Sequence, residues 1–182
     1  MTAIDSKLST GILFTDFYQL TMAQLYFRAG LADKPAQFDY FFRSCPDYGS
    51  HRAGYCISAG LKSLIDWMEE VRFGDAEIEC LAAQKGKSGE PLFGKDFLDW
   101  LRKNGDFGRI SLRAVGEGRV VHPDVPLVVS RGPMALAQIL ETPLLNFCNY
   151  QTLIATKAAR VRQAARGNLM IDFGMRRAQG MG

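Results

Sequence analysis

The sequence predicts an α/β protein, and three observations predict it. Leu61, Leu64, Ile65 and Met68 recur at the i, i+3, i+4, i+7 spacing of an amphipathic helix. Residues 37 to 43 and 109 to 115 instead alternate apolar and polar side chains, the period of a strand. The closing stretch, 149 to 182, reads as a helix feeding a short apolar strand, Leu169 to Phe173, with Gly174 and the pair Arg176-Arg177 just beyond it. In parallel α/β folds ligands bind beyond the carboxyl ends of strands, so that end is the first place to seek a site.

Taken in order, residues 1 to 12 read as a loose leader. A first helix starts near Asp16, which with Gln19 three residues on approximates a capping box. Its apolar positions are Phe17, Leu20, Leu25 and Ala29, and Gly30 is placed as a C-terminal stop. In the strand from Gln37 to Arg43, Phe38, Tyr40 and Phe42 share one face, and Arg43 ends it. A loop with Pro46, Gly49 and Gly54 leads to the Leu61–Met68 helix, then to a short one over 75 to 83. Residues 84 to 91 form a surface loop. Phe93, Phe97, Trp100 and Leu101 mark a third amphipathic helix that stops near Gly105.

Strands follow over 109 to 115, 119 to 121 and 126 to 130, joined by turns at Gly116-Glu117-Gly118 and His122-Pro123-Asp124. Pro133 sits at a first helical position, and the helix that follows is kinked or restarted at Pro143. From Gln151 to Arg166 small residues let another element pack closely, while Lys157, Arg160, Arg162 and Arg166 make one side basic. Composition shifts near residue 131 from strands and loops to long helices. That gives two parts, 1–130 and 131–182.

A chain of 182 residues with 47% apolar and 23% charged side chains supports a packed core. A net charge of +3, without basic runs interleaved with aromatics, argues against a nucleic-acid binder. The four cysteines form no Cys-x-x-Cys pair and there are two histidines, so no metal ligand set is expected. Scattered cysteines suit a reducing compartment, and no signal or membrane-spanning run is read, so a cytoplasmic location is expected. Asp172-Phe173-Gly174 lacks every accompanying kinase motif, and Gly116-Glu117-Gly118 opens no helix.

The residues themselves point to an anion and a planar ring. Phe173 can stack on a flat ring, and Arg176 and Arg177 can grip an anion through forked donors or simply form a solvated loop. Tyr18, in the first turn of its helix, reads by itself as an amphipathic core tyrosine.

Thr15-Asp16-Phe17-Tyr18-Gln19-Leu20-Thr21-Met22, Asn149-Tyr150-Gln151-Thr152 and Asp172-Phe173-Gly174-Met175-Arg176-Arg177-Ala178-Gln179-Gly180 occur in that order. They resemble the motifs of the nicotinate phosphoribosyltransferase family, and the likeness runs through nearly the whole chain. The resemblance implies an N-terminal α/β domain over 1–130. Residues 131–182 would then be the first helix and strand elements of an incomplete phosphoribosyltransferase-type α/β barrel, with Leu169–Phe173 as its first strand. It implies transfer of phosphoribose from phosphoribosyl pyrophosphate to nicotinate, coupled to ATP hydrolysis through a phosphorylated histidine, with Mg2+ balancing the pyrophosphate.

By the same resemblance, Tyr18, reaching in from the neighbouring subunit, and Phe173 sandwich the pyridine, and Arg176, with Arg177 beside it, holds pyrophosphate or the nicotinate carboxylate. Arg43 reaches a phosphate across a homodimer interface. The phospho-histidine is expected beyond residue 182, and neither His51 nor His122 fits its context. The chain is thus expected to be an N-terminal piece of the enzyme, without turnover alone. The alternatives are a nicotinamide-using relative and a non-catalytic partner chain of a full-length subunit.

Overall fold

The computed structural model describes residues 10–178. Helix α1 spans Phe17–Arg28 and strand β1 Pro35–Tyr40. After a loop come β2 (Cys56–Ile57), α2 (Leu61–Glu70), α3 (Asp75–Ala82) and α4 (Lys95–Asn104). Strands β3 (Ser111–Ala114), β4 (Val120–Val121) and β5 (Val128–Pro133) lead into α5 (Met134–Ile139) and the 24-residue α6 (Glu141–Ala164). One sheet has the order β1-β5-β3 and a second pairs β2 with β4. Every pairing between these strands is antiparallel, with Pro35 opposite Pro133 and Ser111 opposite Arg131. Among the described residues the carboxyl-end rule for parallel sheets therefore has no strand to act on.

Helical spacing located α2 and α4 correctly, and the short helix expected over 75 to 83 is α3. Leu64, Phe97 and Leu101 are sealed, and Gly105 caps α4. Gly30 stops α1 in the left-handed conformation, φ 69°. Pro143 sits in the first turn of α6, where its missing N–H leaves no gap, after a break at Leu140. Residue 131 falls inside β5, the central strand of the larger sheet.

Several expectations are corrected. Residues 10 to 12 are no loose leader. Ile12 is core, and the Trp67 indole donates to the Thr10 carbonyl at 2.9 Å; residues 1–9 lie outside the described part. Strand β1 ends at Tyr40, so Arg43 lies in a bend three residues further on. Pro133 ends β5 instead of opening a helix, because its carbonyl-side neighbours are the ones that turn helical. Asp16 and Gln19 form no capping box, because tertiary partners claim both side chains. Leu25 points to solvent, and the buried positions of α1 are Gln19, Leu20, Ala23 and Gln24. Residues 168 to 174 are not a strand. A strand needs a neighbour for its amides and carbonyls, and none lies beside it among the described residues.

The core is one cluster in which α1, α4, α5 and the β1-β5-β3 sheet meet, with Leu64 of α2 and Cys148 of α6 closing it. Gly60 enters α2 with φ 98°, and its N–H donates at 2.6 Å to Glu117 Oε1, a carboxylate 57 residues away that caps the helix. Burial, helped by the Glu117 charge, pushes the Cys148 thiol up to about 11 from an ordinary value near 9. The folded chain therefore keeps a proton that the unfolded chain has already lost above pH 9. The stability linked to it is complete below pH 9 and declines as pH rises through about 11, by about 2 kcal/mol. Burial also raises the Tyr40 phenol, which extends the loss to higher pH. Urea unfolding at pH 8 and pH 11 checks this, and a Cys148→Ala chain is expected to lose less stability between the two.

Candidate functional site

The Thr15–Tyr18 segment is stitched to the junction between α5 and α6. Thr15 Oγ1 donates to the Ile139 carbonyl at 3.1 Å. The Asp16 N–H donates to Thr142 Oγ1 at 3.2 Å, and that hydroxyl donates back to Asp16 Oδ2 at 3.0 Å. The entry to α1 is thereby held against the entry to α6, although the two lie 126 residues apart in the chain. The Tyr18 ring is about half exposed at this junction.

Beneath it lies a polar network inside an apolar interface. Gln19 is fully buried, and its Nε2 donates to Tyr18 Oη at 2.7 Å and to Glu141 Oε2 at 2.8 Å. Gln138 Nε2 donates to the Gln19 amide oxygen and, at 3.2 Å, to Glu141 Oε2. Tyr26 Oη donates to Gln138 Oε1 at 3.2 Å. Every polar atom of the two buried amides is engaged, as low-dielectric burial demands. The Tyr18 phenol is raised above its ordinary range, first by lost hydration, then by the Glu141 and Asp16 charges and its own hydrogen bond to Glu141.

Gln138 and Glu141 also line a groove of about 380 Å³ with Phe38, Phe41, Arg43 and Leu145. Arg43 is exposed there, and no ion pair engages it among the described residues. An anion entering this groove would meet the Arg43 guanidinium and an aromatic wall, with the Asp39 and Glu141 carboxylates also in the lining. A larger groove, about 480 Å³, runs past Ile65, Arg72, Asp106 and Phe107. It holds none of the residues singled out from the sequence, so the smaller, network-lined groove is the better candidate.

Glu141 thus belongs to the Tyr18 network and lines the same groove as Arg43. Phe173 and Arg176 are elsewhere in the bonding pattern: Phe173 is 76% exposed, Arg176 is exposed, and among the described residues no hydrogen bond or ion pair joins either to Tyr18 or Arg43. Asp172 Oδ1 accepts from the Gly174 N–H at 2.6 Å, turning the chain into a 3-10 turn over Met175–Arg177. The side chain of Arg177, and Gln179 and Gly180 of the same motif, lie outside the described part.

The Asn149-Tyr150-Gln151-Thr152 motif is anchoring in this chain. Tyr40 Oη donates to Asn149 Oδ1 at 2.7 Å, and Thr152 Oγ1 accepts from the Ala59 N–H at 3.2 Å. Sequence reasoning missed Gln138 and Glu141 and misassigned Gln19. The available signal was a glutamine set inside the apolar run Ala135-Leu136-Ala137-Gln138-Ile139-Leu140. A polar side chain there must find a buried partner.

Among the described residues, no three imidazole, thiol or carboxylate groups gather as a metal site. None of them is assigned to Mg2+ or to ATP.

Comparison with known proteins adds four matches. The family model described as nicotinate phosphoribosyltransferase (NAPRTase) N-terminal domain matches residues 13–149. The chain is 40% identical over 169 residues to a nicotinate phosphoribosyltransferase of Caenorhabditis elegans, covering 92% of this chain and 28% of that protein. It is 38% identical over 169 residues to the nicotinate phosphoribosyltransferase of Bacillus subtilis (strain 168), covering 93% and 32%. A crystal structure of human nicotinic acid phosphoribosyltransferase superposes with a TM-score of 0.77 at 39% identity, covering 92% of this chain and 32% of that one. The chain spans about three-tenths of the length of the curated relatives it matches.

Proposed function

Because this chain belongs to the nicotinate phosphoribosyltransferase family, its residues 13–149 matching that family's N-terminal domain, we propose that it serves the reaction for which its relatives are named. Phosphoribose passes from phosphoribosyl pyrophosphate to the ring nitrogen of nicotinate, releasing pyrophosphate, in the biosynthesis of NAD. One observation carries the reading. The Thr15–Tyr18 motif is locked against Ile139–Thr142, so that Tyr18 and the Arg43 groove flank one carboxylate, Glu141. The relatives' names favour nicotinate over nicotinamide.

In this proposal Tyr18 offers its half-exposed ring to the pyridine held by the neighbouring subunit, and Phe173 of that site offers the opposing face. Arg176, with Arg177 beside it, meets the carboxylate or pyrophosphate as a forked donor. Arg43 serves a phosphate across a homodimer interface. The chemistry is a positioning problem: holding the ring nitrogen and the ribose in line removes most of the orientational cost of the step. ATP hydrolysis and Mg2+ belong to the proposal through the family alone, and no step is assigned to them here. Turnover is assigned to the assembled enzyme and not to these 182 residues by themselves.

The incomplete-barrel reading of 131–182 also stays with the proposal. Leu153, Ile154 and Val161 of α6 and Leu169 and Ile171 beyond it are exposed apolar side chains, and barrel elements would cover them. Leu169–Phe173 would become a strand only beside a neighbouring strand.

Calorimetry of nicotinate against the purified chain, with and without phosphoribosyl pyrophosphate, tests the site. Saturable binding is expected, weakened about tenfold by Tyr18→Ala through loss of the ring contact. Equal affinity in wild type and Tyr18→Ala removes Tyr18 from the site, and no binding by a folded chain removes the ring pocket from these residues.

A further inference from the structure

We propose that Glu141 is a positioning residue for Tyr18, orienting the phenol through the buried Gln19 amide; this rests on the reading of Tyr18 as the ring platform. An ionised carboxylate accepts only, whereas a glutamine amide presents two N–H donors on one side and a carbonyl on the other.

Glu141 Oε2 receives Nε2 of both Gln19 and Gln138, at 2.8 and 3.2 Å. With an acceptor-only group at that point, each amide must turn its nitrogen toward it. Gln19 then has one N–H left, which it gives to Tyr18 Oη at 2.7 Å. Its carbonyl oxygen receives the second N–H of Gln138, and the Gln138 carbonyl receives the Tyr26 hydroxyl. The phenol oxygen of Tyr18, used as an acceptor, turns its own proton toward the Glu141 carboxylate.

One charge therefore sets the direction of every bond in the network. The ring is pinned at its Oη while its body remains half exposed. Gln19 and Gln138 lie on different helices, α1 and α5, and Glu141 opens α6. The carboxylate thus holds the ring in register with the Arg43 groove, which it also lines. Replacing it by glutamine keeps the volume and an acceptor but lets both amides flip; replacing it by alanine leaves two buried N–H donors without a partner.

The charged groups that act on the Tyr18 phenol are Glu141 and Asp16, both raising it. Phenolate absorbance is followed through a pH titration of the 182-residue chain. Tyr18→Phe identifies the Tyr18 transition among the six tyrosines. In Glu141→Gln that transition is expected to move down toward the ordinary phenol, because the carboxylate charge is gone while the fold is kept. Nicotinate calorimetry on the same proteins is expected to show Glu141→Ala weaker by about threefold to tenfold, with Glu141→Gln recovering only part of the loss, because it restores an acceptor but not the fixed direction of the two amides. An unmoved Tyr18 transition in a folded Glu141→Gln chain overturns the proposal, as does wild-type nicotinate affinity in Glu141→Ala. If the transition moves but the wild-type chain binds no nicotinate, the stacking reading fails and the hold of Glu141 on Tyr18 stands.

Discussion

Gly60→Ala is expected to destabilise the chain by about 3 kcal/mol or more. Two independent costs add. Gly60 has φ 98°, outside the conformations open to a residue with a Cβ, which costs about 1–2 kcal/mol. A Cβ at that position would also lie 2.3 Å from the Phe147 carbonyl oxygen and 2.8 Å from its carbonyl carbon. Those are backbone atoms of α6, so no side chain can swing aside. Relief requires moving α2 away from α6, which opens a packed interface at a further cost of about 1–3 kcal/mol. The same shift pulls the Gly60 N–H from Glu117, uncapping α2. Denaturant titration of the variant checks the result. Gly54→Ala is the control, because its Cβ would meet nothing within 4 Å; equal midpoints for the two variants would refute the account.

Thr156→Val is expected to cost about 2 kcal/mol although it changes the shape of the side chain hardly at all. Thr156 is fully buried on α6. Its hydroxyl accepts from the Ile57 N–H at 2.9 Å and donates to the Thr152 carbonyl at 2.6 Å. Strand β2 is only two residues long, so this side chain takes the place of a missing neighbouring strand. Valine fills the space but leaves the Ile57 N–H buried and unpaired, a loss of about 1–3 kcal/mol. Thr156→Ser keeps the hydroxyl and removes a methyl group, so it is expected to hold the Ile57 amide protected against hydrogen exchange where Thr156→Val does not. Matching exchange rates at Ile57 in the two variants would show that the hydroxyl is not the anchor.

Gly60 and Thr156 act through partners 87 and about 100 residues away, and nothing in their own neighbourhoods marks them. The same holds for the site. Tyr18 could be singled out because it sits in a short local motif, whereas Arg43 reads by itself as a strand-end arginine and was singled out only through the family resemblance. Gln19 was legible as a polar residue near a helix start but was assigned a local cap, since local geometry offers Asp16 as its nearest partner. Its real partners, Gln138 and Glu141, arrive only when α1 packs on the junction of α5 and α6.

The sequence by itself determined the mixed α/β class, the positions of α1 through α4 within a residue or two, the glycine stop after α1, the restart at Pro143 and the family. These follow from the period of apolar side chains and from backbone restrictions, which act over a turn or less. Tertiary structure alone decided the antiparallel order β1-β5-β3, the shortening of β1 so that Arg43 falls in a bend, and the unpaired course of residues 168 to 174. It alone decided the convergence of Gln19, Gln138 and Glu141 beneath Tyr18. The physical reason is the same in each case. Strand pairing and buried hydrogen bonds are satisfied by groups distant in sequence, and a buried donor takes whichever acceptor the packing of the core brings within 3 Å or so.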